Sequence, residues 1–474
     1  MIENTLENLD QLRSDFHRPQ YHFLPPSNWM NDPNGLIQWN GIYHLFFQYN
    51  PYGPLWGNMS WGHAISDDLI HWKHLPLALE PTQGGPDEAG CFSGCAVDDH
   101  GVPTILYTST SGDRNEIQTQ SIATSQDNLI TWTKHPSNPV LVDVPPELNQ
   151  TIDFRDPFVW NEGHTWFMVL GSRIKDIGGA VLLYRSHDLI EWEYLNPLLV
   201  GDDKRHDHTW ECPNFFKIRN KWVLIISTNT GSMAETVLYF VGNYENFRFT
   251  PEFQGVMDYG SLYAPLSFVD DKDRRILFGW LREARSEVDQ RLAGWSGAQS
   301  IPRVLGLDEQ NRLIMQPVVE LERIRGAHHA IDSTSVSGEI ELDVRSLHLD
   351  VVAEFAVEPG GYCGFSFACS TDRNEQIGII YDSKTSRLRV SKTYPEAYGS
   401  LTTHIREVDH PLSSDETLKL RILLDGSVAE VIANERTSLT SRFYPSDPNH
   451  NHVLLHGVNA KLETLDIWEM PSIW

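Results

Sequence analysis

Ser66-Asp67-Asp68-Leu69-Ile70-His71-Trp72 is a phrase that the chain writes more than once. It returns as Ser125-Gln126-Asp127-Asn128-Leu129-Ile130-Thr131-Trp132 and as Ser186-His187-Asp188-Leu189-Ile190-Glu191-Trp192, with the closing tryptophans 60 residues apart both times. A looser copy, Gly242-Asn243-Tyr244-Glu245-Asn246-Phe247-Arg248-Phe249, follows 57 residues later with Phe249 in the aromatic place. Four copies in register mean that one supersecondary unit is being repeated.

Between the copies a polar turn leads into a β-rich run five times: NGIYHLFFQYN from 40, HGVPTILYTST from 100, EGHTWFMVLGS from 162, RNKWVLIIST from 219 and DDKDRRILFGW from 270. Short runs of Tyr, Phe, Ile, Val and Trp bounded by turn residues are strands. Units of about 50 to 60 residues holding several antiparallel strands are blades of a β-propeller, which curls small sheets about an axis and so leaves no long exposed edge. The expected fold is all-β: a five-bladed propeller over residues 1–325, then a β-sandwich over 326–474, where the period is lost and short alternating strands such as LKLRILLDG and VAEVIAN continue. Gln316–Ile324 reads as a helical or extended bridge.

Ahead of each turn-and-strand run, in the place of the innermost strand, stands a polar insertion: Asn31-Asp32-Pro33, Phe92-Ser93-Gly94, Arg155-Asp156-Pro157, Glu211-Cys212-Pro213 and Asp258-Tyr259-Gly260. Singly, Asp32-Pro33-Asn34-Gly35 is a turn signal, Arg155-Asp156 a local ion pair and Glu211 a surface acid. Their common phase says otherwise. Innermost strands run side by side around the axis, so these segments, 47 to 63 residues apart in sequence, converge at one end of the funnel. Acids crowded into a concave pocket disfavour joint ionisation, which a structural protein would avoid and which glycoside hydrolysis exploits. Arg155 can hold one acid ionised and bond sugar hydroxyls.

Composition narrows the partners. A net charge of −27 with no basic block argues against nucleic acid and anionic membranes. The 15 Trp, 16 Tyr and 20 Phe supply rings on which sugars stack, as well as filling for sheets. MIENTLENLDQLRSDFHRPQ starts with acids and has no apolar h-region, no stretch is long enough to span a bilayer, and the five cysteines are few and odd in number, so a cytoplasmic setting is expected. No cofactor and no metal are expected; Arg205-His206-Asp207-His208 reads as a polar loop. A homo-oligomer is left open.

The chain resembles glycoside hydrolase family 32, the invertases and fructan hydrolases, over nearly its whole length. WMNDPNG at 29–35 resembles the block around that family's nucleophile, FRDP at 154–157 its transition-state stabiliser and WECP at 210–213 its acid/base; FQYNP, WGHAISDDLIHW, CFSG and GWSGAQSIPR also resemble family blocks. The resemblance implies that Asp32 is the nucleophile, Asp156 the stabiliser and Glu211 the acid/base, with the Asp32 and Glu211 carboxyls about 5 to 5.5 Å apart for a retaining reaction. It implies a fructose pocket of Asn31, Gln48, Trp56, Phe92, Ser93, Arg155, Asp258, Tyr263 and Trp280. Asn214 stands where the family commonly has an acid, and Cys95 where it has a small hydroxyl residue.

The activity so implied is β-fructofuranosidase, acting on sucrose or short fructans. The same site could instead serve an exo-acting inulin or levan hydrolase, or a fructosyltransferase that passes the intermediate to a sugar rather than to water. A non-catalytic sugar-binding propeller would lack one of the three acids, and Asp32, Asp156 and Glu211 are all present.

Overall fold

A computed structural model describes residues 12, 14–112, 117–142, 144–145, 153–201, 209–230, 234–395 and 401–474. The Arg205–His208 cluster lies outside them.

Contacts divide the chain into two units, one of 23–257 and 262–317 and the other of 1–22, 258–261 and 318–474. The first is the propeller. Its blades are antiparallel sheets built on the strand series Asn28–Trp39, Ile42–Asn50, Ser60–Ser66 and Lys73–Leu79; Gly90–Asp99, Val102–Ser111, Ile117–Thr124 and Thr133–Lys134; Phe154–Glu162, Thr165–Ile174, Gly178–Ser186 and Glu193–Val200; Thr209–Ile218, Lys221–Asn229, Ala234–Glu245 and Arg248–Asp258; and Leu262–Val269, Arg275–Leu281, Arg303–Leu307 and Leu313–Pro317. The opening strand of each series touches that of the next, and the fifth touches the first, which closes the ring of five blades.

The repeated phrase is the hairpin that carries each third strand into the fourth. Asp68 Oδ1 accepts the N–H groups of Ile70 at 3.0 Å and His71 at 2.9 Å, and Asp188 Oδ1 those of Ile190 at 2.9 Å and Glu191 at 2.8 Å. Leu69, Leu129 and Leu189 take left-handed φ values of 69°, 66° and 63° and are buried. A left-handed leucine is unfavourable by about 1–2 kcal/mol, and burial of an isobutyl group together with the Asp-capped turn offsets it. In the looser copy Phe247 adopts the same conformation, φ 61°.

Ring closure explains GWSGAQSIPR. Trp295–Ser296 pairs in parallel with Asn28–Trp29 of the first blade, and Ala298–Gln299 pairs with Trp280–Leu281 of the fifth. Gly297 joins these short pairings at φ 81°, and a Cβ there would come within 2.0 Å of the Met30 carbonyl oxygen.

In the second unit ten strands form one hydrogen-bonded, sandwich-like network. The long strands His348–Cys369 and His452–Glu469 pair along most of their length around a core that includes Phe355, Phe365, Leu420, Leu455 and Ile467. The division falls after Pro317 rather than at 325, and it returns the amino-terminal segment through His22 to this unit. There the Tyr21 hydroxyl contacts the Leu349 and Leu424 carbonyls, and His22 is buried between Asp425 at 2.8 Å and Glu430 at 3.1 Å. The bridge from Gln316 is the end of a strand followed by a 3-10 helix, Val319–Ile324.

Gly297→Ala combines a strained φ with a backbone collision, whereas Gly41→Ala, at φ 83° with open space around it, tests φ alone. Chemical denaturation should show a loss of about 1 kcal/mol for Gly41→Ala and at least about 2 kcal/mol more for Gly297→Ala. Equal losses would remove ring closure as the reason for Gly297.

Candidate active site

The five innermost strands share one irregularity. In each, two residues stand opposite one on the second strand: Asn31 and Asp32, Phe92 and Ser93, Asp156 and Pro157, Cys212 and Pro213, Ala264 and Pro265. Such a β-bulge bends its strand and re-aims the side chains beside it. Innermost strands have one edge facing the axis, and proline at three of these bulges presents no N–H there that would lack a partner.

Asp156, Cys212 and Ala264 sit in the bulges at φ 63°, 47° and 46°. The preceding blade catches the N–H of each: Thr108 Oγ1 accepts from Asp156 at 2.9 Å, Asp156 Oδ2 from Cys212 at 2.9 Å and Ser227 Oγ from Ala264 at 3.1 Å. The second, third and fourth blades thus each fix the bulge of the next.

The bulges floor a cavity of about 510 Å³ lined by Asp32, Asp156 and Glu211 together with Trp29, Asn31, Gln48, Trp56, Phe92, Ser93, Arg155, Asn229, Tyr263 and Trp280. Asp32 Oδ2 accepts from the Ser93 hydroxyl at 2.6 Å and Oδ1 from the Asn31 amide at 3.0 Å. The Cys212 thiol lies 3.6 Å from Asp32 Oδ2 and 3.5 Å from Asp156 Oδ2. Burial, and repulsion from Asp156 and Glu211 against the help of Ser93, push Asp32 up to about 7. Burial and the Glu211 charge, opposed by Arg155 and the Cys212 N–H, raise Asp156 to about 6.

Glu211 has a two-sided environment. Arg155 donates to Oε1 through Nη2 at 2.8 Å and Nε at 3.2 Å, and is itself held by Asp153 at 2.7 Å, whose other oxygen pairs with Arg173 at 2.7 Å. At Oε2 the Asn229 amide donates at 3.1 Å, and the Tyr263 hydroxyl lies 2.6 Å away. That hydroxyl is also 2.9 Å from the Thr228 carbonyl, which can only accept. The one hydroxyl hydrogen can therefore be given to Glu211 Oε2 or to the Thr228 carbonyl. Oε1 thus faces a guanidinium, and Oε2 faces the neutral amide of Asn229 and the hydroxyl of Tyr263.

Residues 22–317 match the N-terminal domain of glycosyl hydrolases family 32, and 320–469 match the C-terminal domain of that family. The chain belongs to glycosyl hydrolase family 32. It is a glycosidase. Among curated relatives, a sucrose-6-phosphate hydrolase of Escherichia coli is 33% identical over 99% of this chain and 98% of its own length. A levanase of Bacillus subtilis is 34% identical over 97% of this chain and 71% of its own. Among solved structures, fructan 1-exohydrolase IIa from Cichorium intybus superposes with a TM-score of 0.85 at 29% identity, over 96% of this chain and 98% of that one; a variant of it is solved in complex with 1-kestose.

In this family 32 chain the cavity gathers every residue expected of the pocket except Asp258. The insertion Asp258-Tyr259-Gly260 precedes the fifth bulge and lies outside the cavity. Those residues group with the second unit, where the buried Asp258 carboxylate accepts from the Ser438 hydroxyl at 2.5 Å, the Thr440 hydroxyl at 2.8 Å and the Gly260 N–H at 2.7 Å. The fifth bulge is Ala264-Pro265, and Tyr263 before it occupies the place that Glu211 has in the fourth blade. The prolines of FRDP, WECP and YAP carry that alignment in the sequence.

Trp29 and Asn229 line the cavity and were not anticipated. Trp29 Nε1–H orients the Asn31 carbonyl oxygen at 2.8 Å. Asn229 closes the polar end, Ser227-Thr228-Asn229, of the strand KWVLIISTN, and the contrast with its apolar middle is the trace it leaves in the sequence. Trp56, 54% exposed, forms the rim. The buried indole N–H of Trp280 has no acceptor among the described residues and is free for a ligand oxygen. Asn214 is buried; its amide donates to the Cys212 and Pro265 carbonyls at 3.1 and 2.8 Å and accepts from Ser267 N–H at 2.8 Å. A carboxylate there would face two carbonyls, so the amide suits this surrounding. Cys95 is a buried apolar filler.

The folded protein keeps Asp32 protonated to about pH 7, whereas the unfolded chain releases that proton near pH 4. The group therefore favours the fold below about pH 4, and that contribution is lost as pH rises through 7. Asp32→Asn removes the titration. Thermal denaturation should find the variant more stable than the parent at pH 8, by at most roughly 4 kcal/mol, with the advantage shrinking steadily toward pH 5. A pH-independent difference would contradict the crowded-acid account.

Proposed function

We propose that the protein is a β-fructofuranosidase that hydrolyses terminal non-reducing β-D-fructofuranosides, sucrose first among them, by double displacement with retention. The reading is carried by Asp32 and Glu211 facing one cavity from different blades, one gripped by donors from its own blade and the next, the other set between a guanidinium and a tyrosine hydroxyl.

The Asp32 carboxylate attacks the anomeric carbon of the fructosyl unit while Glu211 gives its proton to the departing glycosidic oxygen, and a fructosyl ester of Asp32 remains. Glu211, now charged and held by Arg155, takes a proton from water; the hydroxide formed cleaves the ester and restores Asp32. Asp156 has its Oδ2 committed to the Cys212 N–H and offers its other oxygen to fructose hydroxyls, steadying the positive charge that develops at the ring. Glu211 must be an acid in the first half and a base in the second. The cavity is closed below by the bulges, which fits an enzyme that removes one end unit at a time. Relatives named for sucrose 6-phosphate and levan support a shared fructosyl unit with varied partners beyond it.

With sucrose, NMR of the first product should record the β anomer of fructose beside an equal amount of glucose. Asp32→Ala and Glu211→Ala should each lower kcat by roughly 10²–10⁴ or more with circular dichroism unchanged. Kestose-type oligomers as the main products would replace hydrolysis with transfer, and unfolded variants would make the acids structural.

A further inference from the structure

The funnel has a second mouth. The inner strands that bulge at the catalytic acids run on to Trp39, Asp99, Glu162, Ile218 and Val269, and around those ends lies a separate cavity of about 760 Å³. Between the two the axis narrows to a void of about 10 Å³ enclosed by Pro33, Gly94, Pro157, Pro213 and Pro265. Nothing in the hydrolytic reaction uses the far cavity.

Its composition is unlike a sheet interior. Partly exposed Trp39, Trp160 and Trp222 give it indole walls, and four charged groups from four blades reach it: Asp98, Glu162, Lys217 and Arg275. The acids come from the second and third blades and the cations from the fourth and fifth. None of them pairs with another. Asp98 accepts only the Gly101 N–H at 2.6 Å and Glu162 only the Trp160 indole N–H at 2.8 Å among the described residues. Lys217 has no hydrogen-bond partner there. The Arg275 guanidinium lies 4.4 Å above the Phe216 ring, and its buried Nε has no acceptor. Burial lowers Arg275 to about 10, which leaves it charged at neutral pH. An unpaired buried guanidinium N–H is costly unless something supplies an acceptor.

Three ligand chemistries can be compared with that inventory. An inorganic anion would meet two carboxylates and a chain of net charge −27. A purely apolar ligand would leave Arg275 unsatisfied. A neutral polyhydroxylated ring accepts from Arg275 and Lys217, donates to Asp98 and Glu162, and lays its C–H face on an indole. We propose that the far mouth of the propeller is a second, non-catalytic carbohydrate site that holds the end of a neutral oligosaccharide. The proposal rests on the fructosidase reading only for the choice of its first probe.

Isothermal titration of the full chain carrying Asp32→Ala with 1-kestose should resolve two sites. In a chain that also carries Lys217→Glu and Arg275→Gln the weaker site should lose affinity by about tenfold or more, and the same two changes placed in the active enzyme should leave kcat/KM for sucrose unaltered. Lys217→Glu alone, at an exposed position, provides the same comparison if Arg275→Gln does not fold. Maltotriose serves as a second neutral probe, so absence of fructoside turnover by the parent would end the fructosidase reading without deciding this one. If neither sugar finds a site sensitive to these substitutions, or if that site takes inorganic phosphate and no sugar, the proposal is overturned.

Discussion

Three carboxyls share one pocket, and the charge that this concentrates governs what surrounds them. Two like charges about 5 Å apart in an effective dielectric near 20 repel by roughly 3 kcal/mol, a large part of the net stability of an ordinary domain. The neighbours divide the load unequally. Ser93 and Asn31 donate to Asp32, the Cys212 N–H to Asp156 and Arg155 to Glu211, while Asp153, itself paired with Arg173, holds Arg155 from behind. Even so, Asp32 and Asp156 remain hard to ionise. Asp32 must be ionised to attack, and a developing oxocarbenium centre, which brings positive character to the pocket, favours its charged form and relieves the crowding.

The propeller makes the crowding mechanically possible. Strands about the axis cannot all pair with one another, so each has a face of its edge to spare, and a bulge at one common level turns that edge into a ring of side-chain positions. The bulge N–H groups are caught by the preceding blade, through Thr108, Asp156 and Ser227. Asp156 therefore belongs to the chemistry and to the scaffold at once: its carboxylate is the acceptor that fixes the bulge adjoining Glu211. Ring closure through Trp295–Gln299 ties the first blade, which carries Asp32, to the fifth, which carries Tyr263 and Trp280.

Much of this was legible in the residues. The Ser-to-Trp phrase marks real hairpins because its Asp cap and left-handed Leu are local features, and local features survive in sequence. The turn-and-strand runs fell on the second strand of every blade for the same reason. Convergence of Asp32, Asp156 and Glu211 followed from phase alone. The fifth blade is the exception: Asp258 has the right residue type and nearly the right spacing, yet its carboxylate is used by Ser438 and Thr440, 180 and 182 residues onward. Such long-range partners leave no local trace. Nor does the return of the amino-terminal segment to the second unit, which rests on His22 meeting Asp425 and Glu430 more than 400 residues away. Trp29 and Asn229 carry no clear sign of the site, because an indole beside apolar neighbours and an amide at a strand end look like packing and punctuation.

The claim on which the account turns is that Asp32 is the group to which the fructosyl unit becomes bonded, brought there by the same repeat that brings Glu211. Rapid acid quench of the Glu211→Ala variant with a substrate whose leaving group needs no protonation, followed by peptic digestion and mass spectrometry, tests this directly. The account predicts one added hexosyl unit on the peptide that contains Asp32, released by time or by an external nucleophile. A hexosyl unit on another carboxyl, or turnover in which no peptide ever carries one, would contradict it.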